Sequence, residues 1–170
     1  MRIAISGTHG SGKSTLIEDF LAAHPEYAHE PEPYEWLDNA SVEVDDFLQQ
    51  LEISVERLRT HPAGANVIAE RAPLDFLAYI LALMDLRRAP RDCELLASAA
   101  ELAATAMPHV DLLVVLSDEI EAPADEDPEL RAAMHEQLVE LVNADPYSLL
   151  ANTRVIEVAG GRRTRLELVR

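Results

Sequence analysis

Apolar residues along this chain recur with two alternating periods. Arg2-Ile3-Ala4-Ile5-Ser6 is short, apolar and β-branched, as a buried strand is. Glycines follow. Leu16, Ile17, Phe20 and Leu21 then recur at helical spacing, with Glu18 and Asp19 on the other face, which predicts a helix over 13–23. A short strand is expected near 27–30, and Pro31 and Pro33 make 31–39 a loop. Val44, Phe47, Leu48, Leu51, Val55 and Leu58 form an apolar stripe, so a helix capped by Ser41 should run to about Thr60. His61-Pro62-Ala63-Gly64 breaks the pattern before a strand at 66–70. Pro73 suits the first turn of a helix reaching about Leu86, and another helix is predicted over 92–106. Residues 111–116 are the most apolar run and read as a strand buried on both faces. A proline- and acid-rich loop spans 117–128, followed by helices over 128–142 and 146–150. The chain closes with a strand at 155–158 and a basic terminal helix, 162–170.

Alternating strands and helices predict an α/β domain of three layers, a mostly parallel five-stranded sheet with helices on both faces. Length and the lack of a repeat or linker point to one domain over 1–170, with a candidate lid at 117–131. In such sheets ligands sit beyond the carboxyl ends of the strands, so the residues there matter most.

The first such place reads Gly7-Thr8-His9-Gly10-Ser11-Gly12-Lys13-Ser14, which fits G-x-x-x-x-G-K-[ST], the phosphate-binding P-loop pattern. Its setting is right, between a predicted strand and a predicted helix. Glycines let backbone N–H groups turn into one concavity, and the helix start adds a positive dipole end. That makes Thr8, His9, Gly10, Ser11, Gly12, Lys13, Ser14 and Thr15 the nucleotide-contact segment. Lys13 should reach the β- and γ-phosphates, and the Ser14 hydroxyl should bind Mg²⁺. Thr15 supports the fold or the α-phosphate, and His9 faces solvent or substrate. Lys13 is also the single lysine of the chain, against thirteen arginines. A compact ammonium can fit beside phosphates where a planar guanidinium is too wide.

Composition narrows the partners. The net charge of −17 argues against nucleic acid, whose backbone needs clustered cations. It does not oppose ATP, which local amides and Mg²⁺ can hold. No apolar stretch approaches a membrane span, the first strand leaves no room for a signal peptide, and one cysteine, Cys93, cannot form an internal disulfide. A cytoplasmic protein, monomeric or homodimeric, is expected.

At the end of the 66–70 strand stands Glu70-Arg71-Ala72-Pro73-Leu74-Asp75-Phe76-Leu77-Ala78-Tyr79. This stretch resembles the D/E-R-[S/T/Y] element of nucleoside and nucleotide kinases. With the P-loop it also resembles bacterial P-loop proteins related to the nicotinamide riboside kinase domain, loosely called AAA-family ATPases. The resemblance spans most of the chain in element order, but its specific residues are those of the loop and this decapeptide. Ala72 departs from the usual hydroxyl residue, so any role of that hydroxyl is absent.

The resemblance implies a P-loop fold, ATP and Mg²⁺ as cofactors, and a small-molecule acceptor. Glu70 would be the general base or a Mg²⁺ partner, and Arg71 would bind the transferred or acceptor phosphate. Glu30 and Glu32 follow the second strand, where such kinases contact the acceptor, and Glu30 is an alternative base. Trp36 and Tyr34 could stack on a planar base or pack the loop. Tyr79 is a further acceptor contact. Arg131 would be a lid arginine closing over the phosphoryl group, or else a surface partner of Asp127. Arg162 and Arg163 lie where adenine is framed, and Arg163 is the candidate contact.

Two functions fit. One is a kinase passing the ATP γ-phosphoryl group to a nucleoside, nucleotide or similar hydroxyl acceptor. The other is an ATP-binding switch or accessory ATPase acting on a protein partner. A kinase should have an acceptor pocket between the 30–36 loop and Glu70. A guanine-reading N-K-x-D element needs a second lysine, which the chain lacks.

Overall fold

Five parallel strands gather the apolar runs into one sheet. They are β1 (Arg2–Ser6), β2 (Ala28–Glu30), β3 (Val67–Glu70), β4 (Leu112–Leu116) and β5 (Arg154–Val158), in the order β2-β3-β1-β4-β5. The computed structural model describes residues 1–36, 42–120 and 127–169, without the side chains of Glu35 and Trp36. Ala4 of β1 lies in register with Ala69 of β3 and Leu113 of β4. Successive strand residues face opposite ways. Ile3, Ile5, Leu112, Val114 and Leu116 therefore serve one core, while Ala4, Leu113 and Val115 serve the other.

Helices α1 (Lys13–Ala23) and α6 (Arg162–Val169) cover the first core with Leu16, Ile17, Phe20 and Val169. Helices α2 (Val44–Thr60), α3 (Pro73–Asp85), α4 (Cys93–Ala106) and α5 (Pro128–Ala144) cover the second. In α3 every residue from Pro73 to Ile80 is buried, so it is the central helix of that layer, apolar nearly all round as an interior helix is. It begins at the carboxyl end of β3, which sets its first turn under the P-loop.

Three details depart from the sequence reading. Helix α2 starts at Val44 with Glu43 at its cap and Asp45 and Asp46 in its first turn, where acids complement the helix dipole. Ser41, the expected cap, lies outside the described residues. Residues 146–150 do not form a helix, because Asp145 and Ser148 take positive φ angles of 40° and 56°. The Asp145 carboxylate instead accepts the N–H groups of Leu149 (2.6 Å) and Leu150 (3.1 Å), satisfying them without helical bonds. Short 3₁₀ turns occupy Pro33–Trp36, inside the expected loop, and Met107–His109. No helix among the described residues is long and apolar enough to cross a membrane. Part of the lid expected at 117–131, residues 121–126, lies outside the described residues.

Candidate functional site

The loop between β1 and α1 sits at the centre of the sheet, where the chain turns one way toward β3 and the other toward β4. That is the crevice where α/β sheets bind ligands. Two glycines are needed for its shape. Gly7 has φ 151°, and a Cβ there would lie 2.8 Å from Ser11 Oγ. Gly12 has φ 90°, and a Cβ there would lie 3.0 Å from Ile120 Cδ1 and 3.3 Å from Arg165 Nη1.

Lys13 opens α1 and is 4% exposed. Its ammonium donates to the carbonyls of Thr8 (2.8 Å) and Gly7 (3.4 Å). Burial, then the charge of Arg71, lowers its pKa from 10.5 to about 8. Ser14 is exposed, and its hydroxyl donates to Glu70 Oε1 at 2.9 Å. His9 and Thr15 are exposed, and Gly10 is half-buried. Thr8 and Ser11 are buried in the loop.

The start of α3 fastens the loop from below. Asp75, fully buried, accepts from the Ser6 hydroxyl, from Gly7 N–H at 3.1 Å and from Ala72 N–H at 2.9 Å. Burial raises its pKa, against the pull of Arg71 and these donors. Arg71 adopts a left-handed backbone, φ 73°, which turns its side chain under the loop. It donates to Gly7 O at 3.1 Å and to Glu32, and lies 3.6 Å from Asp75. Its guanidinium stands 5.1 Å from the Tyr79 ring centre, and Tyr79 stacks on Phe47 at 4.4 Å. Burial opposes the Arg71 charge, but Tyr79, Glu32 and Asp75 outweigh it and raise its pKa. Burial would raise Glu32, yet Arg71 and Lys13 hold it below the usual carboxylate range.

Two further arginines reach the loop. Arg131 of α5 is buried and donates to Thr8 Oγ1 at 3.2 Å, to Ile120 O at 2.9 Å and to Asp118. Thr8 also donates to Asp118, at 2.9 Å. Asp127 is paired with Arg88, so the surface pairing weighed for Arg131 does not form. Arg165 of α6 donates to Ser11 O at 2.6 Å and to Gly160 O at 2.7 Å. Arg163, by contrast, points to solvent and pairs with Glu167, and Arg162 binds Asp19 at 2.6 Å. Residues two apart on a helix face nearly opposite ways, so the loop meets Arg165 and not Arg163. Beside it, Gly12, Thr15, Leu16, Ile120, Gly160 and Gly161 line a cavity of about 190 Å³.

The remaining residues lie on the β2 side. Glu30 is bound to Arg57 and, at 2.9 Å, to His61. Glu32 joins Arg71 instead, closer to the loop. Tyr34 is exposed. Trp36 ends its 3₁₀ turn, and its side chain falls outside the described set. The crevice between Glu30, Pro31, Ser54, Arg57, Glu70 and Arg71 measures only about 10 Å³, far short of the expected acceptor pocket. Asp111 binds Arg2 at 2.7 Å at the opposite edge of the sheet.

The sequence reading missed Asp75 and Arg165 as loop partners and weighed Asp118, just beyond β4, only as a weaker metal candidate than Glu70. An acid in the first turn after Pro73 was a cap signal for Asp75. The other two meet the loop only through the fold.

A glycine loop after the first strand, set in a parallel sheet of order β2-β3-β1-β4-β5, defines a P-loop fold. The chain belongs to the AAA domain family, whose model matches residues 2–165. No curated protein sequence matches it. Among solved structures it is similar to deoxyadenosine kinase from M. mycoides with bound dATP, at TM-score 0.73 and 18% identity, covering 99% of this chain and 97% of that one. It is similar to thymidylate kinase from Candida albicans at TM-score 0.65 and 19% identity, covering 99% and 88%. NadR protein in complex with NR matches at TM-score 0.65 and 16% identity, covering 99% of this chain but 50% of NadR. At such identities the likeness is one of fold.

Proposed function

We propose that this protein is a Mg-ATP-dependent kinase that passes the γ-phosphoryl group of ATP to a hydroxyl of a nucleoside, nucleotide or similar small molecule. The observation that carries this reading is the Ser14–Glu70 bond of 2.9 Å, set beside Lys13 and flanked by Arg71 and Arg131. Hydroxyl, carboxylate, ammonium and two guanidinium groups around one glycine loop suit a triphosphate and a transferring phosphoryl group.

In this reading the backbone of residues 7–14 and Lys13 hold the phosphates. The cavity of about 190 Å³ beside Gly12 and Thr15 takes the nucleoside end of ATP. Ser14 and Glu70 offer hard oxygen donors, which fit a cation that keeps most of its shell for water and phosphate oxygens. Those two residues would hold Mg²⁺, which would supply charge neutralisation for the phosphate oxygens. No group of three or more His, Cys, Asp or Glu among the described residues is placed to hold a metal by itself.

The acceptor oxygen bonds to the γ-phosphorus as the bond to the β–γ bridging oxygen breaks, and ADP departs with that electron pair. The acceptor's proton passes to a carboxylate. Glu32 is paired with Arg71 and held below the usual carboxylate range by Arg71 and Lys13, which makes it a weak base, whereas Glu70 accepts from the neutral Ser14 hydroxyl. Glu70, the base suggested by the sequence, therefore suits the proton better than Glu32. Arg71 and Arg131 stabilise charge on the transferring group. The 10 Å³ crevice requires residues 31–36 to shift as the acceptor enters. The single thiol, Cys93, and the net charge of −17 suit a cytoplasmic enzyme that acts on small molecules rather than nucleic acid.

The test is ADP release from Mg-ATP across a panel of nucleosides, nucleotides and vitamin precursors, with Lys13→Ala as the binding control. Release should rise many-fold with one acceptor class and vanish in the variant. ATP turnover indifferent to every hydroxyl compound but stimulated by a protein partner would establish the switch reading instead.

A further inference from the structure

Arg165 is an unusual arginine. It is 4% exposed, and none of the ion pairs found among the described residues includes it, although Glu119, which accepts from Gly160 N–H, feels its charge. Its bonds go to two carbonyls, Ser11 O at 2.6 Å and Gly160 O at 2.7 Å, and its Nη2 is buried without a partner. A buried charge with no ion pair among the described residues and a spare donor costs stability, and an apolar residue would serve helix packing better. Stability alone does not account for it.

Its place on the loop does. A trans peptide is planar, with C=O and N–H pointing opposite ways. Ser11 O directed at Arg165 aims the Gly12 N–H to the other side of the loop strand, and no hydrogen bond among the described residues takes up that N–H. Glycine tolerates either sign of φ, so the Ser11–Gly12 peptide has little of its own to stop it flipping. The guanidinium lies 3.3 Å from the point where a Gly12 Cβ would stand, close enough to hold that peptide.

We propose that Arg165 is a positioning residue of the phosphate loop. It locks the Ser11–Gly12 peptide with its N–H toward the phosphates and lends them a positive charge that no ion pair among the described residues takes up. By gripping Gly160 with the same guanidinium, it also joins the loop to the wall of the nucleoside cavity. This inference rests on the nucleotide-binding reading above.

The experiment measures affinity for Mg-ATP and for inorganic tripolyphosphate, which has no nucleoside, together with melting temperature. The proteins are wild type, Arg165→Met, Arg165→Lys, Arg165→Ala and Val169→Ala. The last loosens the seat of α6 without touching the loop. Arg165→Met should weaken both ligands by roughly tenfold to a hundredfold, the loss of one charge-assisted bond. Arg165→Lys should recover part of the loss, since it keeps charge but not the fork. Guanidinium ion added to Arg165→Ala should restore tripolyphosphate binding. Undiminished tripolyphosphate binding in Arg165→Met overturns the proposal. So does an equal loss in Val169→Ala at matched melting temperature. Wild-type protein that binds neither ligand overturns the nucleotide reading itself, a different failure.

Discussion

Lys13→Met removes a charge from a place where burial opposes it. The fall in pKa from 10.5 to about 8 means that keeping the ammonium charged at neutral pH costs roughly 3 kcal/mol in the folded protein. The carbonyls of Thr8 and Gly7 lose their donor in the variant, which offsets about 1–2 kcal/mol of that. Methionine fills similar volume without a charge. In nucleotide-free buffer at pH 7 the variant should therefore be more stable by about 1–2 kcal/mol, or about 2–8 °C in melting temperature for a domain this size.

The sign with pH is a stricter check. A lysine whose folded pKa lies below its unfolded value binds its proton less well when folded. Its cost is fully present below about pH 8 and disappears as pH rises to the unfolded value of 10.5. Wild-type stability should thus rise relative to Lys13→Met across that window, and the gap between the two should close. Thermal or urea unfolding at pH 7, 8.5 and 10 reads this directly, with a calorimetric titration to confirm that the variant no longer binds Mg-ATP. A variant less stable at pH 7, or a gap that ignores pH, would refute the argument.

Phosphates around Lys13 should raise its pKa from about 8, so Mg-ATP binding at pH 8.5 should take up a fraction of a proton. Calorimetry in buffers of different ionisation heat measures the uptake, and a buffer-independent heat counts against it. Glu70→Gln should slow turnover by about 10²-fold or more and raise the Mg²⁺ concentration needed for half-maximal turnover, whereas Glu32→Gln should leave the Mg²⁺ requirement unchanged. Steady-state kinetics over a Mg²⁺ series separates the two, and exchanged phenotypes would reverse the roles. Asp75→Ala strips a fully buried acceptor from Ser6, Gly7 and Ala72 and should cost about 3–5 kcal/mol in urea unfolding. A loss under 1 kcal/mol would show that the loop does not depend on this carboxylate.

The sheet was legible because its strands are short apolar runs between turn residues, and α1 and α2 carry a continuous apolar stripe. Residues 146–150 misled because Pro146 and two leucines look like a helix start. Nothing local in the sequence says that Asp145 will spend its carboxylate on Leu149 and Leu150 N–H groups. Lys13, Ser14 and Glu70-Arg71 could be read because their chemistry is written in adjacent residues. Arg165 and Asp118 could not, since their loop partners are 154 and 110 positions away. The choice between Arg163 and Arg165 was decided by helix phase, which a basic cluster does not reveal.

The charges of the site already satisfy one another. Lys13 sits on its own loop carbonyls, Ser14 on Glu70, Arg71 on Glu32, and Arg131 on Asp118. A buried charge without a partner would cost more than the fold can spare, so each ligand-seeking group holds a protein partner instead. Nucleotide binding is then an exchange of partners, and its net strength is the difference between two similar interactions. The group that need not exchange is Arg165, whose bonds run to carbonyls on the outer side of the loop. Its electrostatic attraction for phosphate is therefore reduced by no broken ion pair. That makes the back of the loop, as much as the lysine in front of it, a place where affinity for triphosphate is set.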